Sequence, residues 1–199
     1  MSVRPAQLTD IPRITKVYED AFSGFFLTSL GTTFLKGYFE CLMSNSETVM
    51  LVAEDEKEDI VGFALATTKS EGFNSRLIRQ NRLKFSRMAL NLLFRRPKAL
   101  LRLMRNLTKK SDEVHDDVNY AELSSIGVAT SRQNEGWGHK LLTEVENVLK
   151  TKGISRISLT TDYDNNEKAI GFYRGMGYGT LYVFTAYPSR KMYRLFKDI

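Results

Sequence analysis

Apolar residues recur along the chain with two periods, and the period distinguishes helices from strands. Apolar residues three and four positions apart predict helices from about Asp10 to Ala21, Phe34 to Met43, Gly138 to Leu149 and Asn166 to Met176. Short apolar runs bounded by polar residues predict strands at 49–53, 60–65, 120–128, 154–160, 178–187 and 192–196. This mixture, without an internal repeat or a Ser/Gly linker, predicts one mixed α/β domain.

A long basic segment interrupts this pattern between residues 76 and 110. The segment holds 12 basic residues and no acidic one, whereas the whole chain carries a formal net charge of +6. The other residues therefore carry a charge of −6, and the positive charge is concentrated in one place. Apolar residues three and four apart alternate here with arginine and lysine, which predicts two amphipathic helices. Pro97 is expected to end the first helix and to open the second.

Composition narrows the class of protein. With 199 residues the chain can bury a core as a single domain, 1–199, in which the basic helices form an insertion at about 70–116. The one cysteine, Cys41, excludes a disulfide framework and a multi-cysteine zinc site, so no metal is expected. No apolar stretch approaches the roughly 20 residues that span a bilayer. The first ten residues lack the apolar core of a signal peptide, and we therefore expect a cytoplasmic protein.

A glycine-containing turn follows the strand predicted at 120–128. The residues Gln133 to Gly138 lead from that strand directly into an amphipathic helix. Consecutive backbone N–H groups at such a turn, together with the positive end of the helix dipole, can bind a phosphate group. Two glycines alone also fit a plain connection between a strand and a helix. The turn is not a P-loop, because GxxxxGK[ST] is absent, and it lacks the third glycine of the dinucleotide fingerprint.

Two motifs give this turn a family context. The pattern Gln133-x-x-Gly136-x-Gly138, preceded by Ile126-Gly127-Val128, resembles motif A of the GNAT acetyltransferase superfamily. The run Asn166-Glu167-Lys168-Ala169-x-x-Phe172-Tyr173-x-x-x-Gly177-Tyr178 resembles motif B. The start, from Arg4 to Pro12, resembles the usual first strand and helix, and the order of elements matches over 1–69 and 116–199. Asn134, Glu135 and Trp137 depart from the common Gly, Lys and small aliphatic residue of motif A.

The resemblance implies a fold, a reaction and a set of binding residues. The fold would be α/β, with a mixed, mostly antiparallel central sheet flanked by helices. The reaction would be transfer of an acetyl group from acetyl-CoA to a primary amine by direct attack in a ternary complex. The pyrophosphate would bind to backbone N–H groups of the turn and of the helix start. These groups belong to Gln133, Asn134, Glu135, Gly136, Trp137, Gly138, His139 and Lys140. The backbone of Ile126, Gly127 and Val128 would pair with the pantetheine arm, near Asn166.

Candidate catalytic groups follow from the chemistry of amine acylation. An alkylammonium, with a pKa near 10.4, must lose a proton before it can attack a thioester. Glu122 is the candidate base, and period two places it on one face with Ser124, Ile126 and Val128. The resemblance supports this choice, because in some family members a glutamate stands six residues before the motif A valine, as Glu122 does before Val128. A solvent-facing strand glutamate is the alternative, and His115 and Asp162 are weaker candidate bases.

The resemblance also implies two donors. The Val128 N–H would stabilise the negative oxygen that develops on the carbonyl. Tyr173 would donate a hydrogen bond to the departing thiolate. The alternative interpretation is that Tyr173 is an ordinary aromatic residue of a helix that packs on the sheet. The aromatic residues Phe22, Phe25, Phe26 and Phe34 are interpreted as core, and Phe25 and Phe26 could also line the acceptor cleft.

The basic insertion leaves three interpretations open. It could be a lid that holds a small anionic acceptor such as an amino-sugar nucleotide, a pair of helices on a membrane surface, or a packing or homodimer element. A non-catalytic CoA-binding module that docks to acidic membrane or nucleic acid through residues 76–110 is an alternative, as is a protein lysine acetyltransferase. Nucleic acid is the weaker partner, because no RNA-reading motif accompanies the basic residues.

Overall fold

The structure, a computed structural model, describes residues 2–108, 120–186 and 189–199. The strands of this part of the chain are β1 (Ser2–Pro5), β2 (Thr48–Glu54), β3 (Ile60–Thr67), β4 (Ala121–Val128), β5 (Arg156–Asp162), β6 (Gly179–Ala186) and β7 (Arg190–Asp198). The α-helices are α1 (Ile11–Ala21), α2 (Phe26–Ser29), α3 (Thr32–Met43), α4 (Phe73–Gln80), α5 (Arg82–Arg95), α6 (Pro97–Thr108), α7 (Trp137–Thr151) and α8 (Glu167–Gly175). His115, one of the alternative bases, and Tyr187, the expected end of a strand, lie outside the described residues.

The strands form one sheet in the order β1-β2-β3-β4-β5-β7-β6. Every neighbouring pair is antiparallel except β4 and β5, which are parallel. The mixed, mostly antiparallel sheet flanked by helices that was predicted is therefore confirmed. The β4–β5 pairing covers only Ala121–Leu123 against Ile157–Leu159, and beyond these residues the two strands separate. The separation opens a gap near the middle of the sheet.

Each face of the sheet carries its own hydrophobic core. On one face, here the α7 face, the helix side chains Leu141, Leu142, Val145 and Leu149 pack on Leu123, Ile157 and Leu159. On the other, the α3 face, the first and third helices pack Ile14, Tyr18, Leu35 and Phe39 on Val52, Phe63 and Leu65. Cys41 is buried in this second cluster. The gap between β4 and β5 therefore opens to two different environments, one on each face.

A β-bulge in β4 corrects one expectation. Leu65 and Ala66 are consecutive in β3, but they pair with Ser125 and Leu123, so Ser124 is an extra residue. The bulge reverses the alternation of side chains, and Leu123 shares the α7 face with Ile126 and Val128. Glu122, next to Leu123, points to the α3 face instead. The prediction that Glu122 shares a face with Ile126 and Val128 is therefore wrong.

The basic insertion forms three helices rather than the two that were predicted. A break at Asn81 separates α4 from α5, whereas Pro97 begins α6 as expected. Phe73 and Leu77 of α4 are buried in the core of the α3 face, and Leu92 of α5 packs on Leu30 and Phe34. Arg76 forms an ion pair with Glu47, Lys84 with Glu40, and Arg96 donates to the carbonyl oxygen of Ser29. The part of the insertion that the structure describes therefore packs on the body of the fold.

No helix within the described ranges combines the length and the apolar character that crossing a bilayer requires.

Candidate active site

Backbone groups of β4 face the gap. The N–H of Ala129 donates to the carbonyl oxygen of Val61 at 2.8 Å. Because hydrogen bonds alternate along an antiparallel ladder, the N–H and C=O groups of Val128 and Ile126 point away from β3 and towards the gap. The side-chain amide of Gln133 lies 3.4 Å from the Val128 carbonyl oxygen, on that open side. This edge can pair with an extended ligand as an added strand would.

The glycine turn lies at one end of this edge. Asn134 has φ 66° and Gly136 has φ 84°, so two left-handed residues bring the chain into the first turn of α7. Gly136 is the N-cap and no side chain caps the helix, which leaves the first N–H groups of α7 available. Residues 133–136 are all exposed, and a Cβ at Gly136 would meet no atom within 4 Å. The turn therefore has the geometry of an anion site.

Two of the residues that depart from motif A, Glu135 and Trp137, hold the turn in place. Glu135 accepts hydrogen bonds from Trp137 Nε1 at 3.0 Å and from Arg132 Nε at 2.9 Å. Arg132 also reaches Asp55, in the β2–β3 turn, at 2.8 Å. The same Arg132 guanidinium lowers the pKa of Glu135 and of Asp55. The Trp137 indole is only 1% exposed, so this residue can offer a ligand its backbone N–H but not its ring.

The exposed side chains around the turn are more basic than acidic. His139 and Lys140 lie on the exposed side of the first turn of α7. Lys168 of α8 reaches to 3.4 Å from the side-chain oxygen of Gln133. The His139 ring lies 5.5 Å from the Phe172 ring, edge on, which links the beginning of α7 to α8. Lys140 and Lys168 therefore place positive charge near the turn, in which Glu135 stands where motif A has a lysine.

The eighth helix forms the opposite wall. Asn166 donates to Thr161 Oγ1 at 2.6 Å and to the Asp162 carbonyl oxygen at 3.1 Å, which ties the start of α8 to the end of β5. Tyr173 packs between Phe172 and Tyr178, with ring centroids at 5.1 and 5.9 Å. Burial raises the pKa of Tyr173 to about 12, so its hydroxyl stays protonated near neutral pH. Among the described residues this hydroxyl makes no hydrogen bond.

Glu122 lies in a polar cluster on the α3 face, where β4 and β5 begin to separate. Burial raises the pKa of Glu122 from 4.5 to about 7. Arg194 Nη1 lies 3.2 Å from Glu122 Oε1 and 3.4 Å from Ser158 Oγ, and its charge opposes the effect of burial on the carboxyl group. The Arg194 guanidinium also lies 5.8 Å from the Tyr120 ring centroid. Burial lowers the pKa of Arg194 to about 10, which leaves it a cation at neutral pH.

Sequence patterns did not identify Arg194 or Ser158 as neighbours of Glu122. Ser158 pairs with Glu122 across β4 and β5, and Arg194 comes from β7, 72 positions further along the chain. The one available signal is an arginine inside the apolar run at 192–196. A charged residue in a buried strand requires a polar partner.

The mouth of the gap on the α3 face carries a second acid–base pair. Asp162, at the end of β5, forms an ion pair with Arg190 of β7. The Arg190 guanidinium lies 5.9 Å from the Phe25 ring, which is 45% exposed and packs against Phe22 at 5.3 Å. Phe34 is buried, as expected of a core residue, whereas Phe25 is exposed. Asp162 is therefore engaged in an ion pair at this mouth.

No group of three His, Cys, Asp or Glu side chains in the described ranges is arranged to hold a metal ion.

Comparison with known proteins extends the resemblance seen in the motifs. Residues 11–178 match the model of the acetyltransferase (GNAT) family. The ribosomal-protein-alanine N-acetyltransferase of Brucella melitensis has a similar structure, with a TM-score of 0.64, 15% identity and coverage of 100% of both chains. The PaiA N-acetyltransferase of Thermoplasma acidophilum, in complex with coenzyme A, has a TM-score of 0.61 and 15% identity over 100% of this chain and 98% of that chain. An aminoglycoside 6′-acetyltransferase type Ii has a TM-score of 0.64 and 16% identity over 100% and 97%. No curated protein matches this chain.

At these identities the solved structures show the shared fold, and the family model shows the family. The match to the family model covers most of the chain, including the glycine turn, the gap and α8. The chain therefore belongs to the acetyltransferase (GNAT) family, and it is an N-acetyltransferase that uses acetyl-CoA.

Proposed function

We propose that the acceptor is the primary amine of a small molecule with an anionic part, such as an amino-sugar nucleotide. The observation that carries this proposal is the mouth of the gap on the α3 face, where the Glu122 side chain is partly exposed and Arg190 lies at the entrance. Arg95 and Arg96 border a cavity of about 230 Å³ at the beginning of α3, beside the connection that carries Phe25. Their positive charge would favour an anionic acceptor.

Acetyl-CoA fits the residues on the other side of the gap. The turn from Gln133 to Lys140 would bind its pyrophosphate through backbone N–H groups. The backbone of Ile126, Gly127 and Val128 would bind its pantetheine arm through the Ile126 and Val128 groups that face the gap, with Asn166 at the opposite wall. Gly127 leaves no room for a side chain, since a Cβ would lie 2.9 Å from Phe63 and 3.0 Å from Phe22. Bound there, acetyl-CoA supplies the acetyl thioester.

Glu122 would act as the base. Its carboxylate would take a proton from the ammonium group of the acceptor, directly or through one water molecule, so that the neutral amine can attack. A pKa of about 7 keeps a large fraction of the carboxyl group ionised at neutral pH, and it makes the group a stronger base than an ordinary glutamate. The backbone N–H of Val128 would donate to the oxygen that becomes negative during attack.

Tyr173 would donate to the sulfur that leaves. A phenol with a pKa of about 12 is a weaker acid than a thiol, whose usual pKa is about 8.5, so complete proton transfer is unfavourable. A hydrogen bond from the Tyr173 hydroxyl to the thiolate stabilises the leaving group without that transfer. The acceptor ammonium loses two protons. The first passes through Glu122 to solvent, and the second leaves the nitrogen after attack and protonates the CoA thiolate through solvent. The products are the N-acetylated acceptor and CoA.

A protein amine is the second candidate acceptor. One of the similar structures is a ribosomal-protein-alanine N-acetyltransferase, which shares the whole fold with this chain. A peptide acceptor would enter the same gap from the α3 face. Family membership favours either enzyme over a non-catalytic CoA-binding module.

A panel of amines with acetyl-CoA and thiol detection tests the proposal. We expect a nucleotide amino sugar to give at least about a tenfold higher kcat/KM than the same amino sugar without phosphate, and Arg190→Gln to reduce this ratio. Lys57→Gln, which removes an exposed charge from the β2–β3 turn, is the control. Equal rates for the two sugars, or a preference for an aminoglycoside or a peptide amine, would contradict an anionic small-molecule acceptor.

A further inference from the structure

The outward side of α5 is apolar and exposed. Leu83, Leu90 and Phe94 are 78%, 55% and 78% exposed. Their spacing of seven and four residues places them on one stripe of the helix, with Arg87 between them. More than half of the large exposed apolar residues of the described chain lie in the insertion, namely Ile78, Leu83, Leu90, Leu93, Phe94 and Leu101. Such a concentration of exposed apolar side chains indicates an interaction surface.

The opposite side of α5 packs on the rest of the described chain, whereas the outward stripe does not. Phe85, Met88 and Leu92 form the inward stripe, which contacts α3 and the neighbouring core. Residues on the outward stripe are displaced by about half a turn from these side chains. The insertion is therefore a packing element on one side, and its outward side has no packing role in the described chain.

Cations without an ion-pair partner in the described chain accompany the outward stripe. Arg87 lies on the stripe and Arg82 at its edge, and both are exposed. Arg79 of α4 and Lys98 of α6 are also exposed and form no ion pair with a described residue. The sequence from Arg76 to Lys110 contains no acidic residue that could pair with them. Apolar side chains at the centre and cations at the flanks are the pattern of a helix that lies in the interface of an anionic membrane.

We propose that the outward stripe of α5, flanked by these cations, docks the protein on an anionic lipid surface. Leu83, Leu90 and Phe94 enter the region between headgroups and acyl chains, while the arginines contact the lipid phosphates. The helix has 14 residues, which corresponds to about 21 Å of contact along the membrane plane. This docking is independent of the identity of the acceptor amine.

Charge favours lipid over the other occupants. In a symmetric pair of copies, Arg82 and Arg87 of each copy would face those of the other across the interface, and like charges oppose association. Nucleic acid would use the cations, but the apolar side chains at the centre of the stripe would meet its polar backbone. An anionic membrane satisfies both the charge and the apolar surface.

Vesicle binding by the full chain tests the proposal. We expect the protein to sediment with phosphatidylcholine vesicles that contain phosphatidylglycerol, much less with phosphatidylcholine alone, and less at high salt than at low salt. Leu83→Glu/Phe94→Glu should lower the bound fraction about tenfold or more, because it removes apolar contacts and adds negative charge. Leu8→Glu is the matched control, since Leu8 is 65% exposed at the beginning of the first helical segment.

A second pair of variants separates the electrostatic part. Arg82→Gln/Arg87→Gln should lower binding about tenfold and weaken its salt dependence. Lys16→Gln/Lys57→Gln removes the same charge from exposed positions elsewhere and should have little effect. CoA binding, measured for each variant, shows that it is folded.

Three results would overturn the proposal. The first is equal binding to neutral and anionic vesicles, or no binding to either. The second is a dimer in sedimentation velocity that Leu83→Glu/Phe94→Glu abolishes in the absence of lipid. The third is binding to an oligonucleotide, but not to vesicles, that the arginine variants lose and the Leu83→Glu/Phe94→Glu variant retains.

Discussion

Glu122 is subject to two opposing influences. Burial on the α3 face raises its pKa to about 7, while the Arg194 guanidinium at 3.2 Å favours the ionised form. Arg194 also donates to Ser158 Oγ, which holds the guanidinium beside the carboxyl group where β4 and β5 separate. A carboxyl group with a raised pKa beside an open gap is suited to accept a proton at neutral pH.

Glu122→Gln should lower kcat by about a hundredfold or more, because the amide cannot take the proton. In the wild-type enzyme, kcat should rise with pH up to about 7 as the carboxyl group ionises, and this rise should disappear in Glu122→Gln. The KM for acetyl-CoA should change little, since Glu122 lies on the opposite face from Ile126 and Val128. Steady-state kinetics across pH measure these effects, with Glu56→Gln, an exposed residue, as the control. An unchanged pH profile would remove Glu122 from the mechanism.

The same ionisation affects folding stability. The folded protein binds the Glu122 proton more tightly than the unfolded chain, whose carboxyl group has its ordinary pKa of 4.5. The contribution of this group to stability is therefore complete below pH 4.5 and is lost as pH rises through about 7. Unfolding of wild type and Glu122→Gln over this pH range separates this effect from catalysis.

At the scale of elements, the two ends of α7 provide a matched pair of glycines. Gly136 precedes the helix with φ 84°, and Gly153 follows it with φ 74°. A Cβ at either position would meet no atom within 4 Å, so only backbone strain and local function distinguish the two sites. Gly136 begins the turn that is proposed to bind pyrophosphate, whereas Gly153 lies at the far end of the helix.

Gly136→Glu should raise the Kd for CoA by about tenfold or more, because it places a negative charge beside the phosphate site. Gly153→Glu should leave the Kd unchanged. The free energy of unfolding should fall by a similar amount in both variants, roughly 1–2 kcal/mol, which is the cost of a left-handed conformation for a residue with a Cβ. Calorimetry with CoA and thermal unfolding measure the two effects. Equal CoA affinities in the two variants would place the phosphate site elsewhere.

The same elements show how far sequence patterns reach. The glycine turn, the α7 stripe and the α8 motif could be predicted, because their signals are local and lie within about 15 residues. The bulge at Ser124 could not, because it depends on the register between β3 and β4, and two consecutive serines give no signal for it. The gap depends in the same way on where β4 stops pairing with β5.

Contacts between residues that lie far apart in the sequence could not be predicted, for a related reason. Arg194 reaches Glu122 only because β7 lies between β5 and β6 in the sheet, an order that is not evident from the sequence. The break at Asn81 also escaped, since the helical spacing of apolar residues continues on both sides of it. Local periodicity thus predicts elements, and long-range pairing decides how their side chains meet.

At the scale of the whole molecule, charge divides the protein into two parts. A body with a net charge of −6 carries the gap, and the segment from Arg76 to Lys110 carries +12. The insertion is not a separate unit in its packing, since Leu92 of α5 is 3% exposed against Leu30 and Phe34 of the body. The inward side of α5 therefore contributes to stability, and the outward side is the one that we propose for docking.

A comparison of two leucines on α5 tests this division. Leu92→Ala should destabilise the whole protein by about 2–4 kcal/mol, because it leaves a cavity between the insertion and the body. Leu90→Ala, at a site that is 55% exposed, should change stability by less than about 0.5 kcal/mol. If the insertion and the body form a single domain, urea unfolding of Leu92→Ala should remain one transition at a lower midpoint. A separate early transition, with the midpoint of the body unchanged, would instead show that the insertion folds as an independent unit.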